Sequence, residues 1–193
     1  MYYHNSKNLN FIYIKNFYSE KDSSFLHNNL VKEVQWKTDT IKIFGKKHNL
    51  PRLTGFHADH GITYSYSGIK MYPNSWTPNL LKIKNKIENL SKKSFNSVLL
   101  NRYRNGQDYH GYHSDNESSL GDEINIASVS FGSERDFKFK SKNTNEIVSL
   151  TLENGSLLLM NHPTQIFWLH SLPKRLKIKS ERINLTFRLI KNL

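Results

Sequence analysis

Short segments in the β-strand pattern fill the second half of the chain, and this succession limits the fold more than any other feature. Seven segments rich in β-branched, aromatic or alternating apolar residues follow one another, separated by turn-forming residues. They are residues 95–104, 126–131, 135–140, 147–152, 156–160, 167–172 and 182–190. Two separators, Asn105-Gly106 and Asn154-Gly155, are typical of two-residue hairpin turns. So many short strands predict a jelly roll built from two sheets.

Two amphipathic helices are expected in the first half, after a strand over residues 9–17. Ser19 with Asp22 three residues later is a helix-capping pair, and Thr77-Pro78 opens a second helix. Apolar residues at helical spacing should pack on a sheet: Phe25, Leu26, Leu30 and Val34 in the first helix, and Leu80, Ile83, Ile87 and Leu90 in the second.

The fold class that these patterns predict is α+β, mainly β: a double-stranded β-helix (jelly roll) with N-terminal helices packed on one sheet. Residues 1–35 form an N-terminal strand and helix that pack on the core, and residues 36–193 form the jelly roll. We expect a single domain overall, because 193 residues suit one hydrophobic core and no linker interrupts the pattern.

Potential metal ligands occur one residue apart in the strand-like run of residues 101–117. Side chains at positions i and i+2 of a strand share a face, so His113 and Asp115 can reach the same ion. His170 on an adjoining strand would complete the two-histidine, one-carboxylate triad of non-heme Fe(II) oxygenases. A solvated loop histidine is the alternative explanation for His113. The chain has no cysteine, so histidine and oxygen ligands must hold any metal, which favours iron, manganese or zinc.

The last strand alternates strictly between a polar and an apolar face. Its polar face carries, in order, Arg182, Asn184, Thr186 and Arg188. The two arginines are separated by about 20 Å at roughly 3.3 Å rise per residue. Leaning inward, they could grip both carboxylates of one small diacid in bidentate forks, although a plain surface strand would show the same alternation.

Charge and hydropathy restrict the partners. The net charge of +12 is typical of a protein that binds a polyanion, although an AT-rich genome would also favour lysine, asparagine and isoleucine. The sequence has no apolar run long enough to span a bilayer, and its first residues lack the apolar core of a signal peptide. We therefore expect an intracellular protein without membrane contact, nuclear if the source is eukaryotic and otherwise cytoplasmic.

Taken together, these motifs resemble the AlkB family of Fe(II)- and 2-oxoglutarate-dependent dioxygenases. The family pattern reads Asn-x-Tyr, His-x-Asp, a distant His and Arg-x-Asn-x-Thr-x-Arg, and all four parts occur here in order. The likeness extends from about residue 36 to residue 190. It is closest to the animal members that demethylate alkylated bases in double-stranded DNA, through residues 43–46, 61–68, 127–132, 135–137 and 160–164.

The resemblance implies the cofactors Fe(II) and 2-oxoglutarate, with O2 as co-substrate. The implied metal ligands are His113, Asp115 and His170. The implied 2-oxoglutarate contacts are Arg188 with Asn101 at the carboxylate beside the iron, Arg182 with Tyr103 at the far carboxylate, and Asn184 and Thr186 as secondary contacts. The reaction would oxidise the N-methyl group of 1-methyladenine or 3-methylcytosine in DNA and release formaldehyde, succinate and CO2.

The resemblance also assigns DNA contacts. Tyr64 and Tyr66 would line the pocket of a flipped base, with Asn116 and Glu117 as substrate contacts; Asn116 replaces an acid that duplex-specific members often have. The DNA-binding residues would be Phe44 as a wedge, Lys46 beside it, and Lys140, Arg175 and Lys177 at phosphates. Alternatives are an RNA or single-strand demethylase, a protein hydroxylase and a non-enzymatic basic β-domain. We expect a monomer, with duplex favoured over single strands.

Overall fold

The structure, a computed structural model, describes residues 1–43, 45–66 and 69–191. In chain order its elements are β1 (Tyr2–Ser6), β2 (Leu9–Ile14), α1 (Glu20–Glu33), β3 (Thr40–Ile43), β4 (Lys46–Asn49), β5 (Leu53–Ala58), β6 (Tyr64–Tyr66), β7 (Ile69–Met71), α2 (Pro78–Ser91), β8 (Ser97–Tyr103), β9 (His110–His113), β10 (Ile126–Gly132), β11 (Arg135–Ser141), β12 (Ile147–Leu152), β13 (Ser156–Met160), α3 (Thr164–Phe167), β14 (Trp168–Leu172) and β15 (Arg182–Arg188). A short 3-10 turn covers Ser118–Leu120.

Two antiparallel sheets face each other, as the strand pattern predicts. The larger sheet has the order β1-β2-β13-β10-β15-β8-β5, and the smaller has the order β12-β11-β14-β9. An apolar layer lies between them, in which Phe137 and Phe139 of the smaller sheet meet Phe11 and Leu99 of the larger. The predicted jelly roll is confirmed.

Helices α1 and α2 cover the outer face of the larger sheet. The backbone N–H of Asp22 donates to the Ser19 side chain, which caps α1 as predicted. The buried residues of both helices share one core with β10 and β15. The prediction that Phe25 and Leu90 join this core is wrong, because 62% and 43% of their surfaces are exposed. Each helical residue turns the side chain by about 100°, so these two positions fall past the edge of the apolar stripe.

The prediction that Asn105-Gly106 and Asn154-Gly155 form two-residue hairpin turns is wrong, because neither pair connects neighbouring strands of one sheet. Asn105-Gly106 links β8 of the larger sheet to β9 of the smaller, and Asn154-Gly155 links β12 of the smaller to β13 of the larger. Both glycines instead lie where the chain passes from one sheet to the other. A Cβ on Gly106 would lie 1.8 Å from the carbonyl oxygen of Arg175, and Gly155 has a φ of +71°.

The N-terminal segment is part of the larger sheet, since β2 pairs with β13 and β1 extends the edge. Strands β3 and β4 form a separate hairpin in which Ile43 pairs with Lys46. Lys46 and Lys47 both belong to β4 and are exposed. Among the described residues, no helix is long and apolar enough to cross a bilayer.

Candidate metal and dicarboxylate site

Three potential ligands converge between the sheets. His113 and His170 are paired residues of β9 and β14, and their rings lie 4.2 Å apart between centroids. Asp115 follows two residues after the end of β9, so it lies in the adjoining loop and not in the strand that the sequence predicted. One ligand atom from each of the three side chains lies within 4.8 Å of the other two. This spacing suits a single metal ion.

Hydrogen bonds hold the ligands in orientation. The Nδ1–H of His113 can donate to the carbonyl oxygen of Gly111 at 2.9 Å, which leaves Nε2 as the lone-pair atom. That Nε2 lies 3.9 Å from Asp115 Oδ1. The backbone N–H of Asp115 donates to Gln165 Oε1 at 3.0 Å. Such outer contacts fix the tautomer and direction of metal ligands.

Burial and neighbouring charges keep the ligands in their metal-binding protonation states. Burial lowers the pKa of His170 to about 3 and also lowers the pKa of His113. Burial alone would raise the pKa of Asp115, but Arg188, followed by the two histidines, brings it to about 2. Neutral imidazoles and an ionised carboxylate are the forms that bind a divalent cation.

The polar face of β15 lines the same cavity. Arg182 Nη2 donates to Asn184 Oδ1 at 2.7 Å, and Asn184 Nδ2 donates to Thr186 Oγ1 at 2.8 Å. At the other end, Arg188 Nη2 donates to Asp115 Oδ2 at 2.8 Å. All four polar side chains of this strand are buried, so the alternative of a plain surface strand is wrong.

The two arginines differ in how their charges are balanced. Burial would lower the pKa of Arg188, but Asp115 raises it. Burial lowers the pKa of Arg182 to about 10, and its guanidinium lies 5.4 Å from the centre of the Tyr103 ring. Arg182 is thus a buried cation facing the cavity, where an anionic ligand would stabilise it.

These residues fit a metal ion and a dicarboxylate. Asp115 Oδ1 and His170 Nδ1 are buried without a hydrogen-bond partner in the described structure, and so are the Nε atoms of Arg182 and Arg188. Every predicted metal and 2-oxoglutarate residue lines this one cavity: Asn101, Tyr103, His113, Asp115, His170, Arg182, Asn184, Thr186 and Arg188. Ligand atoms and unsatisfied donors therefore surround a single space.

Arg52 and His110 support the site although the sequence analysis missed both. Buried Arg52 donates from Nε to Asn101 Oδ1 at 2.7 Å and from Nη2 to His110 Nε2 at 3.2 Å. The His110 ring stacks on His113 at 3.7 Å between centroids. Because the Asn101 oxygen accepts from Arg52, the Asn101 NH2 group is the part left to serve a ligand. No motif marks either residue; only the strand pairing brings them here.

Of the four predicted base-binding residues, Tyr64 and Glu117 lie beside this cavity. Tyr64 is buried with its ring 5.6 Å from the Arg188 guanidinium. Burial, followed by the charge of Asp115, raises the pKa of the Glu117 carboxyl. Asn116 is exposed. The side chain of Tyr66 lies outside the part of the chain that the structure describes.

The predicted DNA contacts have different surroundings. Lys46 and Lys177 are exposed, and Lys140 is partly exposed. Arg175 Nη1 lies 3.6 Å from Glu134 and 3.7 Å from Asp136, so a phosphate would compete with two carboxylates for it. Phe44 lies outside the described residues.

Comparison with known proteins assigns the chain to a family. A family model described as the 2OG-Fe(II) oxygenase superfamily matches residues 10–188, a range that includes the metal cluster and the polar row of β15. The chain belongs to this superfamily: it is a dioxygenase, and its cofactors are Fe(II) and 2-oxoglutarate. The alternative of a non-enzymatic β-domain is set aside.

Two relatives narrow the assignment. The DNA oxidative demethylase ALKBH2 of Bos taurus is 41% identical over 184 residues, covering 90% of this chain and 66% of the relative. The alpha-ketoglutarate-dependent dioxygenase alkB homolog 3 of Homo sapiens is 38% identical, covering 90% of this chain and 64% of the relative. The chain thus spans just under two thirds of their lengths. Within the superfamily it is an AlkB oxygenase similar to the animal homologues.

A solved structure supports the fold independently. The structure of OsALKBH1 matches with a TM-score of 0.66 at 17% sequence identity, covering 92% of this chain and 97% of that chain. At this identity the likeness supports the fold alone.

Proposed function

We propose that this chain is a DNA oxidative demethylase that repairs N-alkylated bases, such as 1-methyladenine and 3-methylcytosine, by direct reversal. The observation that carries the proposal is the cavity in which His113, Asp115 and His170 face the polar row of β15. The similarity to a protein named DNA oxidative demethylase and the net charge of +12 support DNA as the substrate. The protein acts as a monomer inside the cell, in the nucleus if the source is eukaryotic.

Each side of the cavity has its own role in this proposal. His113, Asp115 and His170 hold Fe(II), with Asp115 kept ionised by Arg188. Arg188 and the Asn101 NH2 group bind the 2-oxoglutarate carboxylate nearer the metal. Arg182 and Tyr103 bind the far carboxylate, which neutralises the buried charge of Arg182, and Asn184 and Thr186 make secondary contacts.

The base enters beside Tyr64. Tyr64 and Tyr66 supply aromatic surface against the flipped base, and Glu117, with Asn116, contacts its exocyclic amine. Bound Fe(II) and 2-oxoglutarate supply the oxidation by O2 that hydroxylates the N-methyl carbon, with succinate and CO2 as co-products. The hydroxymethyl base then loses formaldehyde and regains its normal pairing edge.

Duplex DNA is the favoured form of the substrate. A stacked and paired lesion has to leave the helix at a cost of a few kcal/mol, and an apolar wedge can fill its place. In this proposal Phe44 is the wedge, because it follows β3 directly, and the exposed Lys46 at the start of β4 contacts a flanking phosphate.

The direct experiment incubates the iron-loaded protein with oligonucleotides that carry one 1-methyladenine, as duplex DNA, single-stranded DNA and RNA. Mass spectrometry should show loss of the methyl group, with formaldehyde released in equal amount and duplex DNA consumed fastest. His170→Ala is the matched inactive control. Succinate formation without demethylation of any oligonucleotide would contradict the substrate assignment, and faster RNA turnover would favour the RNA demethylase alternative.

A further inference from the structure

Strand β9, which carries the metal ligand His113, exposes two aromatic rings. Tyr109 directly precedes the strand and is 37% exposed, and Tyr112 lies within it and is 42% exposed. Tyr112 is three positions after Tyr109, about 10 Å along the chain at the usual rise of roughly 3.3 Å per residue. Two tyrosines beside an active site present apolar, planar surface to the solvent.

A lysine ammonium lies over each ring. Lys174 Nζ is 5.0 Å from the centre of the Tyr109 ring, and Lys140 Nζ is 5.8 Å from the centre of the Tyr112 ring. The lysines come from different places, Lys140 from β11 and Lys174 from the segment after β14. A cation over an exposed ring gains only about 0.5–1 kcal/mol, so each ammonium can exchange this contact for a phosphate.

The two tyrosines are sequence neighbours of histidines at the proposed reaction centre. Tyr112 is bonded to His113, and Tyr109 is bonded to His110, whose ring stacks on His113. Tyr112 therefore lies on the strand that supplies a metal ligand, and Tyr109 lies just before that strand. Exposed aromatic rings flanked by lysines are the combination that binds single strands, since every base has a face that can stack.

We propose that Tyr109, Tyr112, Lys140 and Lys174 form a platform for single-stranded DNA, on which unpaired bases next to the target base stack. The rings hold the bases and the ammonium groups hold phosphates. The inference rests on the proposed function for the identity of its ligand, and it gives single strands a binding surface of their own beside the favoured duplex. A duplex hides its base faces from these rings, so the platform distinguishes the two forms.

The test measures binding of unmethylated oligothymidylate and of an unmethylated duplex of equal length by fluorescence anisotropy. The double variant Tyr109→Ala/Tyr112→Ala should bind the single strand at least about tenfold more weakly, since base stacking on an aromatic ring contributes about 1–3 kcal/mol per base. Duplex affinity should change less than about threefold. The double variant Tyr109→Phe/Tyr112→Phe should match the wild type, because phenylalanine keeps the stacking surface.

Tyr3→Ala is the matched control, because Tyr3 is 65% exposed on β1 at the outer edge of the larger sheet. Single-strand affinity within about twofold of wild type in the double alanine variant would overturn the platform, as would equal losses on both DNA forms. In a second measurement, Lys140→Gln/Lys174→Gln should lower the salt dependence of single-strand binding by about 0.7 per lost contact. An unchanged slope would overturn the phosphate role.

Unmethylated DNA makes the result independent of catalysis. Single-strand binding that depends on both rings, without any demethylation, would contradict the proposed function and leave the platform standing. If removal of the rings left both demethylation and single-strand binding unchanged, the proposed function would stand and the platform would be contradicted. If removal of the two rings weakened the binding of an acidic peptide more than the binding of DNA, the surface would be assigned to a protein partner.

Discussion

Replacing Arg188 with lysine should raise the concentration of 2-oxoglutarate that the enzyme requires. The Arg188 fork is buried, and its Nη2 already donates to Asp115 Oδ2 at 2.8 Å, while its Nε is buried without a partner. An arginine can therefore hold Asp115 and a carboxylate of 2-oxoglutarate at the same time. A lysine keeps the charge but loses the planar fork, so it cannot satisfy both with the same geometry.

The magnitude follows from one lost hydrogen bond to a charged group, about 1.5–3 kcal/mol. At 1.4 kcal/mol per factor of ten, the half-saturating 2-oxoglutarate concentration should rise about 10- to 100-fold. Succinate formation measured against 2-oxoglutarate concentration gives this value, and anisotropy with unmethylated DNA should change less than about twofold. Arg102→Lys is the matched control, since Arg102 also lies on a core strand but pairs with Glu181 outside the cavity. A 2-oxoglutarate requirement within twofold of wild type in Arg188→Lys would refute the assignment.

Three further outcomes are expected. His113→Ala or Asp115→Ala should abolish turnover and weaken Fe(II) binding measured by titration, and full activity in either would end the iron assignment. In metal-free protein the pKa of Asp115, about 2, lies below its ordinary value, so the ionised carboxylate stabilises the fold above about pH 4 and this effect is lost as the pH falls toward 2. The difference in unfolding free energy between wild type and Asp115→Asn, measured by urea titration, should be on the order of 2 kcal/mol above pH 4 and should shrink toward pH 2. A difference that stays constant over this range would contradict the pairing of Asp115 with Arg188. Phe44→Ala should lose at least about tenfold in demethylation of duplex while keeping most activity on single strands, and equal losses on both would exclude a wedge.

The fold was predictable because local patterns and the global structure agree. The alternation of β15 indicates which side chains face the cavity before any neighbour is known, and the structure buries Arg182 and Arg188 on that face. The Ser19 cap likewise depends only on residues within one turn. Such features need no knowledge of tertiary contacts.

The remaining features depend on contacts between distant parts of the chain. Asn105-Gly106 has hairpin composition, but the glycine is required by the carbonyl of Arg175, which approaches from far along the chain. The contact of His110 with His113 follows from an irregularity in the pairing of β9 with β14. Arg52 reaches Asn101 because β5 pairs with β8, and a basic residue after a proline gives no sign of this.

Strand β9 is the outermost strand of the smaller sheet and pairs only with β14 among the described strands. It contributes one metal ligand from a position that is held from one side, whereas His170 lies on β14, between two neighbours. The ion therefore fastens a sheet edge as well as serving catalysis, and the free energy of metal binding includes the ordering of that edge. Loss of the metal would therefore favour fraying of β9, and faster amide hydrogen exchange at this strand would report the loss of iron.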